Sequence, residues 1–228
     1  MATASKRKAV SSMPAALRQK APSARAIRSA ARREAILHAA LDEFSARGFA
    51  AARLDDVAKR AGVAKGTIYL HFRDKEALFQ EIVRSLMTPF VGTLEGVFAA
   101  DVPLRAIADQ LVELFVREVF GTRRKDIIRL IITEGPRFPK LAEFYYREVL
   151  SRIFNGARAR LRRAVERGEI SDTTLSRFSH LITFPQLIAA PGMVAIIWTG
   201  LFERFEPLDV RELLRAHMDI LFGERNAA

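Results

Sequence analysis

The 228-residue chain is half hydrophobic, enough for one large or two small domains with a real core, which excludes disorder for most of its length. It has no cysteine, so disulfides, thiolate zinc sites and cysteine nucleophiles are excluded together; His38, His71, His180 and His217 are too scattered to predict a metal centre. The formal charge of +11 is unevenly placed: residues 1–75 carry 16 Lys/Arg against 6 Asp/Glu, residues 76–228 carry 21 against 20. A basic head on a nearly neutral body points to a polyanionic partner, the alternative being a solvated basic tail.

Residues 1–28 are rich in Ala, Ser, Lys and Arg with no acid. They lack the continuous apolar stretch of a secretory signal and read as a flexible basic arm rather than a transit peptide. Ile36, Leu37, Ala40, Leu41 and Phe44 then form one apolar stripe, and Gly48 follows where a left-handed C-terminal cap is expected. Leu54, Val57, Ala58 and Ala61 predict a second helix, with Asp55 and Asp56 suited to its first turn and Gly62 ending it. After a short turn, Ile68 and Phe72 point inward and leave Lys65, Gly66, Thr67, Tyr69 and His71 outward on a short third helix. Asp74 caps a fourth helix carrying Leu78, Ile82 and Leu86.

Beyond it, Pro103 suits the first turn of a helix through Leu104–Phe115. Ile127–Ile132 is a short apolar helix stopped by Gly135-Pro136, and Pro139 opens a long one that Gly168 ends. Asp172 caps the next, which runs into Pro185; another follows Pro191, and Val210–Leu221 is the last. The fold class is all-α: an N-terminal three-helix head followed by a helical body. The run Leu181–Phe202 has 22 residues without formal charge, long enough to span a bilayer. Pro185, Gln186, Pro191 and Gly192 interrupt it, so two shorter buried helices are expected and no membrane span.

Two short helices joined by a glycine turn, the second with an exposed polar face, form a helix-turn-helix, whose second helix enters the DNA major groove. The surrounding residues, Phe44–Phe49, Val57–Val63 and Gly66–Leu78, resemble the DNA-binding region of the TetR family of transcriptional regulators over about residues 30–80. The resemblance implies a DNA-binding domain at 29–76 and an effector-binding and dimerisation domain at 77–228. On this reading Gly66 lets the backbone approach the DNA closely, Thr67 and Tyr69 offer hydroxyls to phosphates, and Lys65 reaches a guanine edge. His71 and Lys75 fall where the family clamps the backbone. Packing of Tyr69 and His71 against the first helix is the structural alternative. The family usually has Thr or Ser where this chain has Arg53, and often Ser where it has Ala64. Each departure removes a capping hydroxyl worth about 1 kcal/mol, and Arg53 replaces the phosphate contact by charge.

The segment Arg129–Tyr146 resembles a subgroup that includes regulators of multidrug efflux operons. That likeness implies a cytoplasmic, homodimeric repressor released from a palindromic double-stranded operator by a small apolar effector, with dimer contacts in about residues 172–222. Phe115, Phe120, Phe138, Tyr145, Phe184 and Trp198 are the candidates for the pocket wall, against the alternative that they are ordinary core. The cluster Arg158, Arg160, Arg162, Arg163, Arg167 is expected to be a solvated face. No nucleophile, base and orienting group share a motif spacing and no phosphate loop is present, so neither catalysis nor a cofactor nor a metal is expected.

Overall fold

The computed structural model describes residues 23–170 and 172–223, with side chains at 25, 26 and 172–177 excepted. Most of the basic arm, and the cap expected of Asp172, lie outside the described residues. The described residues are helical without a strand, as the periodicity predicts: α1 (Ala24–Ala51), α2 (Leu54–Ala61), α3 (Lys65–His71), α4 (Lys75–Ala99), α5 (Leu104–Phe115), α6 (Arg124–Glu134), α7 (Pro139–Tyr145), α8 (Ser151–Glu166), α9 (Asp172–Thr183), α10 (Gln186–Leu201) and α11 (Val210–Phe222). Single π turns at Val116–Phe120 and Tyr146–Leu150 extend α5 and join α7 to α8. The long helix read from Pro139 to Gly168 therefore exists with one widened turn.

The chain divides into two compact units, residues 1–35 and 36–228. In the first, α1 already begins at Ala24, inside the stretch read as arm, and its side chains are mostly exposed. In the second, one apolar core runs from Ile36 through α2, α3 and α4 to Ile196. Phe49 lies at its centre, its ring 5.2 Å from Phe44, 6.2 Å from Phe79 and 5.0 Å from Phe138, the last two edge to face. Such aromatic pairs add about 0.5–1.5 kcal/mol each beyond the area they bury.

Gly48 breaks α1 at φ 75°, ψ 160°. The positive φ is the one expected, but ψ is extended rather than helical, a combination that only glycine adopts readily. Gly62 closes α2 in the left-handed conformation, its N–H and that of Val63 bonding back to Lys59 and Ala58 carbonyls, as a glycine at that position should.

Two sequence expectations need correction. Pro191 does not start a helix: α10 begins at Gln186 and continues through Pro191. Proline has no N–H to give Leu187, one turn earlier. His217 Nε2 on α11 donates to that Leu187 carbonyl at 2.7 Å instead, so the proline is accommodated by a bond from a neighbouring helix. Nor is the arginine cluster of α8 wholly a solvated face: Arg162 and Arg167 are exposed as expected, but Arg158, Arg160 and Arg163 are not. Arg160 is buried and donates to Val102 O and Glu169 Oε2, both at 2.8 Å. Arg163 donates to Phe98 O, Arg167 pairs with Asp101 and Arg158 donates to Ile182 O. Only contacts distant in sequence could reveal that these cations tie α8 to the α4–α5 connection and to α9. No described helix is long and apolar enough to cross a membrane.

Candidate nucleic-acid interface and effector cavity

The head is held by packing below α3 and by charge around α2. Ile68 is fully buried and Phe72 nearly so, which fixes the rotation of a helix only two turns long. Glu43 on α1 is buried, with Arg60 Nη2 3.2 Å from Oε2 and Arg47 Nε 2.9 Å from Oε1. The Arg47 contact is off the hydrogen-bonding direction and acts through charge. Arg47 also lies 3.5 Å from Asp56, tying α1 to α2 a second time.

The opposite face of α3 is open. Tyr69 is 49% and Leu70 84% exposed, His71 is exposed, and nothing lies within 4 Å of where a Cβ on Gly66 would stand. Both helices lack capping side chains, as the departures at Arg53 and Ala64 imply: neither N-cap residue makes a side-chain bond to its helix. Asp74 does, accepting from Ala77 N at 2.7 Å. Thr67 is half-buried at the edge of the exposed face.

The two lysines are engaged. Lys65 Nζ donates to Asp55 Oδ2 at 2.7 Å and lies 5.9 Å from the Tyr69 ring centroid. The hydrogen bond and charge of Asp55 raise the Lys65 ammonium above its ordinary range, with Arg53 nearby opposing. Lys75 Nζ donates to the Phe49 and Ala50 carbonyls, both at 2.7 Å, and stands 4.9 Å from the Phe49 ring centroid. Two of its three donors close the end of α1, so it stabilises the junction that carries the head.

Behind the head, α4, α5, α6, α8, α10 and α11 enclose a cavity of about 190 Å³. Its wall includes Phe90 and Leu94 from α4, Phe115 from α5, Ile128, Ile131 and Ile132 from α6, and Ile188 and Ile196 from α10; Tyr145 supplies the single hydroxyl. Burial pushes the Tyr145 phenol well above its ordinary range, so it is a neutral polar group in an apolar wall. Of the six aromatic candidates, Phe115 and Tyr145 line this cavity. The other four do not. Phe120 and Phe138 pack on the main core, Phe138 against Phe49. Phe184 is exposed, and Trp198 meets Phe202 edge to face at 5.1 Å while its Nε1 donates to Glu206 O. Both π turns border the cavity through Val119 and Leu150, and such turns recur at functional sites.

Residues 36–82 match the family described as bacterial regulatory proteins, tetR family, and residues 103–190 match the tetracyclin repressor-like C-terminal domain. The transcriptional regulator UidR of Escherichia coli strain K12 is 32% identical over 143 residues, covering 61% of this chain and 69% of the relative. The chain belongs to the TetR family. Among solved structures, Bacillus subtilis FadR in complex with stearoyl-CoA superposes with a TM-score of 0.64 at 18% identity, over 84% of this chain and 99% of that one. SmeT, the repressor of the Stenotrophomonas maltophilia efflux pump SmeDEF, gives 0.59 at 20%, over 83% and 87%. These two likenesses establish a shared fold.

As a TetR-family member the chain is a DNA-binding transcriptional regulator and not an enzyme. Two features of its head and body escape a sequence reading. Leu70 is the most exposed large apolar side chain on α3; its position two residues from each inward anchor could have marked it as outward. Arg129 and Glu134 fall in the Arg129–Tyr146 segment, but nothing local in the sequence shows that each has a buried side-chain atom without a hydrogen-bond partner.

Proposed function

We propose that the chain is a homodimeric repressor whose α3 reads a palindromic operator and which lets go when a small apolar effector enters the cavity. Residues 29–76 form the DNA-binding domain and residues 77–228 the effector and dimerisation domain. The observation that carries this reading is a rigidly anchored α3 with an open, polar outer face, on a chain whose excess positive charge lies in the same third. Tyr69 and Thr67 bond phosphates, Gly66 permits close approach, Leu70 meets a thymine methyl, and Arg53 and His71 supply flanking contacts. Lys65 leaves Asp55 for a guanine edge; an exposed ion pair is weak enough to exchange. Acting on DNA, the protein works in the cytoplasm, without a cofactor.

The route from cavity to head is α6. Its Ile128, Ile131 and Ile132 face the cavity, while its two ends touch α1. Arg123, just before α6, pairs with Asp42 at 2.6 Å. Glu134, its last residue, holds Oε1 where a side chain on Gly48 would meet it at 2.7 Å. Glu134 Oε2 is buried without a bond, so this carboxylate transmits little and a shift of α6 reaches α1 chiefly through the Arg123–Asp42 pair. Effector binding that pushes α6 outward thereby displaces the kink from which α2 and α3 are hung, and the two α3 helices of a dimer lose their spacing across the half-sites. The complex of FadR with stearoyl-CoA supports a ligand with a long acyl chain for a body of this fold.

Selection of binding sites from random duplex DNA, run with wild type, Lys65→Ala and Asp55→Asn, tests the reading. Wild type is expected to enrich an inverted repeat. Lys65→Ala flattens one base-pair preference in each half-site at a cost of roughly ten- to a hundredfold in affinity, and Asp55→Asn leaves or sharpens that preference. No enriched repeat with wild type overturns the proposal; an unchanged Lys65→Ala logo reduces Lys65 to a phosphate contact.

A further inference from the structure

Arg129 is the unusual cation of the body. It sits on α6, partly buried, with Nη2 donating to Thr199 Oγ1 of α10 at 3.1 Å and Nε buried without an acceptor. Among the described residues no carboxylate pairs with it; Arg158 and Arg163 also lack an acidic partner but donate to backbone carbonyls, whereas Arg129 has only the Thr199 hydroxyl. A guanidinium left in this state keeps its desolvation cost without the charge-assisted bonds that normally offset it. Its place explains the exception. Ile132, one turn along α6, and Ile196, one turn before Thr199 on α10, both line the cavity, so Arg129 and Thr199 stand one helical turn from its wall on two helices at once. Gly200 packs beside it, where a Cβ would stand 3.5 Å from Arg129 Nε. Opposite charge is missing, hydrogen-bond donors are free, and an uncharged apolar chamber lies alongside.

We infer that the effector is an aliphatic monocarboxylate, its chain in the cavity and its carboxylate on Arg129 with Thr199 beside it. The inference rests on the cavity being the effector site. It goes further by assigning the ligand a head group and the residue that takes it. The planar fork of the guanidinium donates to two carboxylate oxygens in parallel, and the apolar wall, with only the Tyr145 hydroxyl, fits an aliphatic chain and rejects a second charge. Occupying Arg129 also pulls on α6 and α10 together, the two elements it already joins.

The full-length protein is titrated with dodecanoate and with dodecanol, each below its micellar range, while fluorescence of Trp198, the single tryptophan and the neighbour of Thr199, reports binding. The acid is expected to bind at least about tenfold more tightly than the alcohol. Arg129→Gln removes that preference and leaves alcohol affinity unchanged, which also shows that the variant is folded; Arg129→Lys keeps part of it. Equal binding of acid and alcohol by wild type, or a preference that survives Arg129→Gln, overturns the assignment of Arg129 while the cavity reading stands. Failure of both probes to bind overturns the cavity reading and this inference with it.

Discussion

Gly48 is the residue on which the head depends most. Its φ of 75° with ψ of 160° is strained for any side chain, and the carboxylate of Glu134 occupies the direction a Cβ would take. Gly48→Ala is therefore expected to cost about 1–3 kcal/mol, measured by denaturant unfolding. The backbone strain accounts for most of it, since Glu134 ends a flexible side chain that can swing aside. Adding Glu134→Ala should recover only a small part of the loss. Full recovery would mean that the clash, and not the backbone, sets the requirement for glycine.

Among elements, α10 shows how a helix interior can carry a proline when another helix supplies the missing donor. His217→Ala should destabilise the protein by about 0.5–1.5 kcal/mol, whereas in a Pro191→Ala background, where residue 191 can again donate to Leu187, the same change should cost clearly less. A double-mutant cycle by thermal or denaturant unfolding measures the difference; equal costs in both backgrounds would mean that the His217 contact does not substitute for the lost helix bond. The same contact shows where sequence reading stops. The helices of the head were legible because their apolar period, the two glycines at 48 and 62 and the Asp74 cap are all local signals. Pro191 misled because its partner lies on α11, distant in sequence. Phe115 and Tyr145 line the cavity whereas Phe120 and Phe184 do not, a difference that residue type could not show because packing decides which ring faces inward. Arg129 opens the segment that resembles efflux regulators, but its unpaired buried Nε depends on packing and gave no local signal.

At the scale of the whole molecule, α10 and the residues after it present Leu187, Val194, Ile197, Leu201, Phe202 and Phe205 to solvent, more contiguous apolar surface than a lone subunit usually tolerates. This face lies within the 172–222 region proposed for dimerisation. Ile196 and Leu214, apolar residues of the same region, are only 1% and 4% exposed; charging them would break the subunit core. Val194→Arg together with Ile197→Arg is the informative variant. Sedimentation is expected to give a folded monomer, and its operator affinity should fall because the two half-sites are no longer bound together. An unchanged dimer places the interface elsewhere. The central claim, that the exposed face of α3 binds operator DNA while the body folds independently of that contact, is tested most directly by fluorescence anisotropy of the selected operator with wild type and Tyr69→Ala. Tyr69→Ala is expected to lose operator binding while keeping the dimer, measured by sedimentation, and the ligand response of Trp198. Operator affinity equal to wild type in that variant would contradict it.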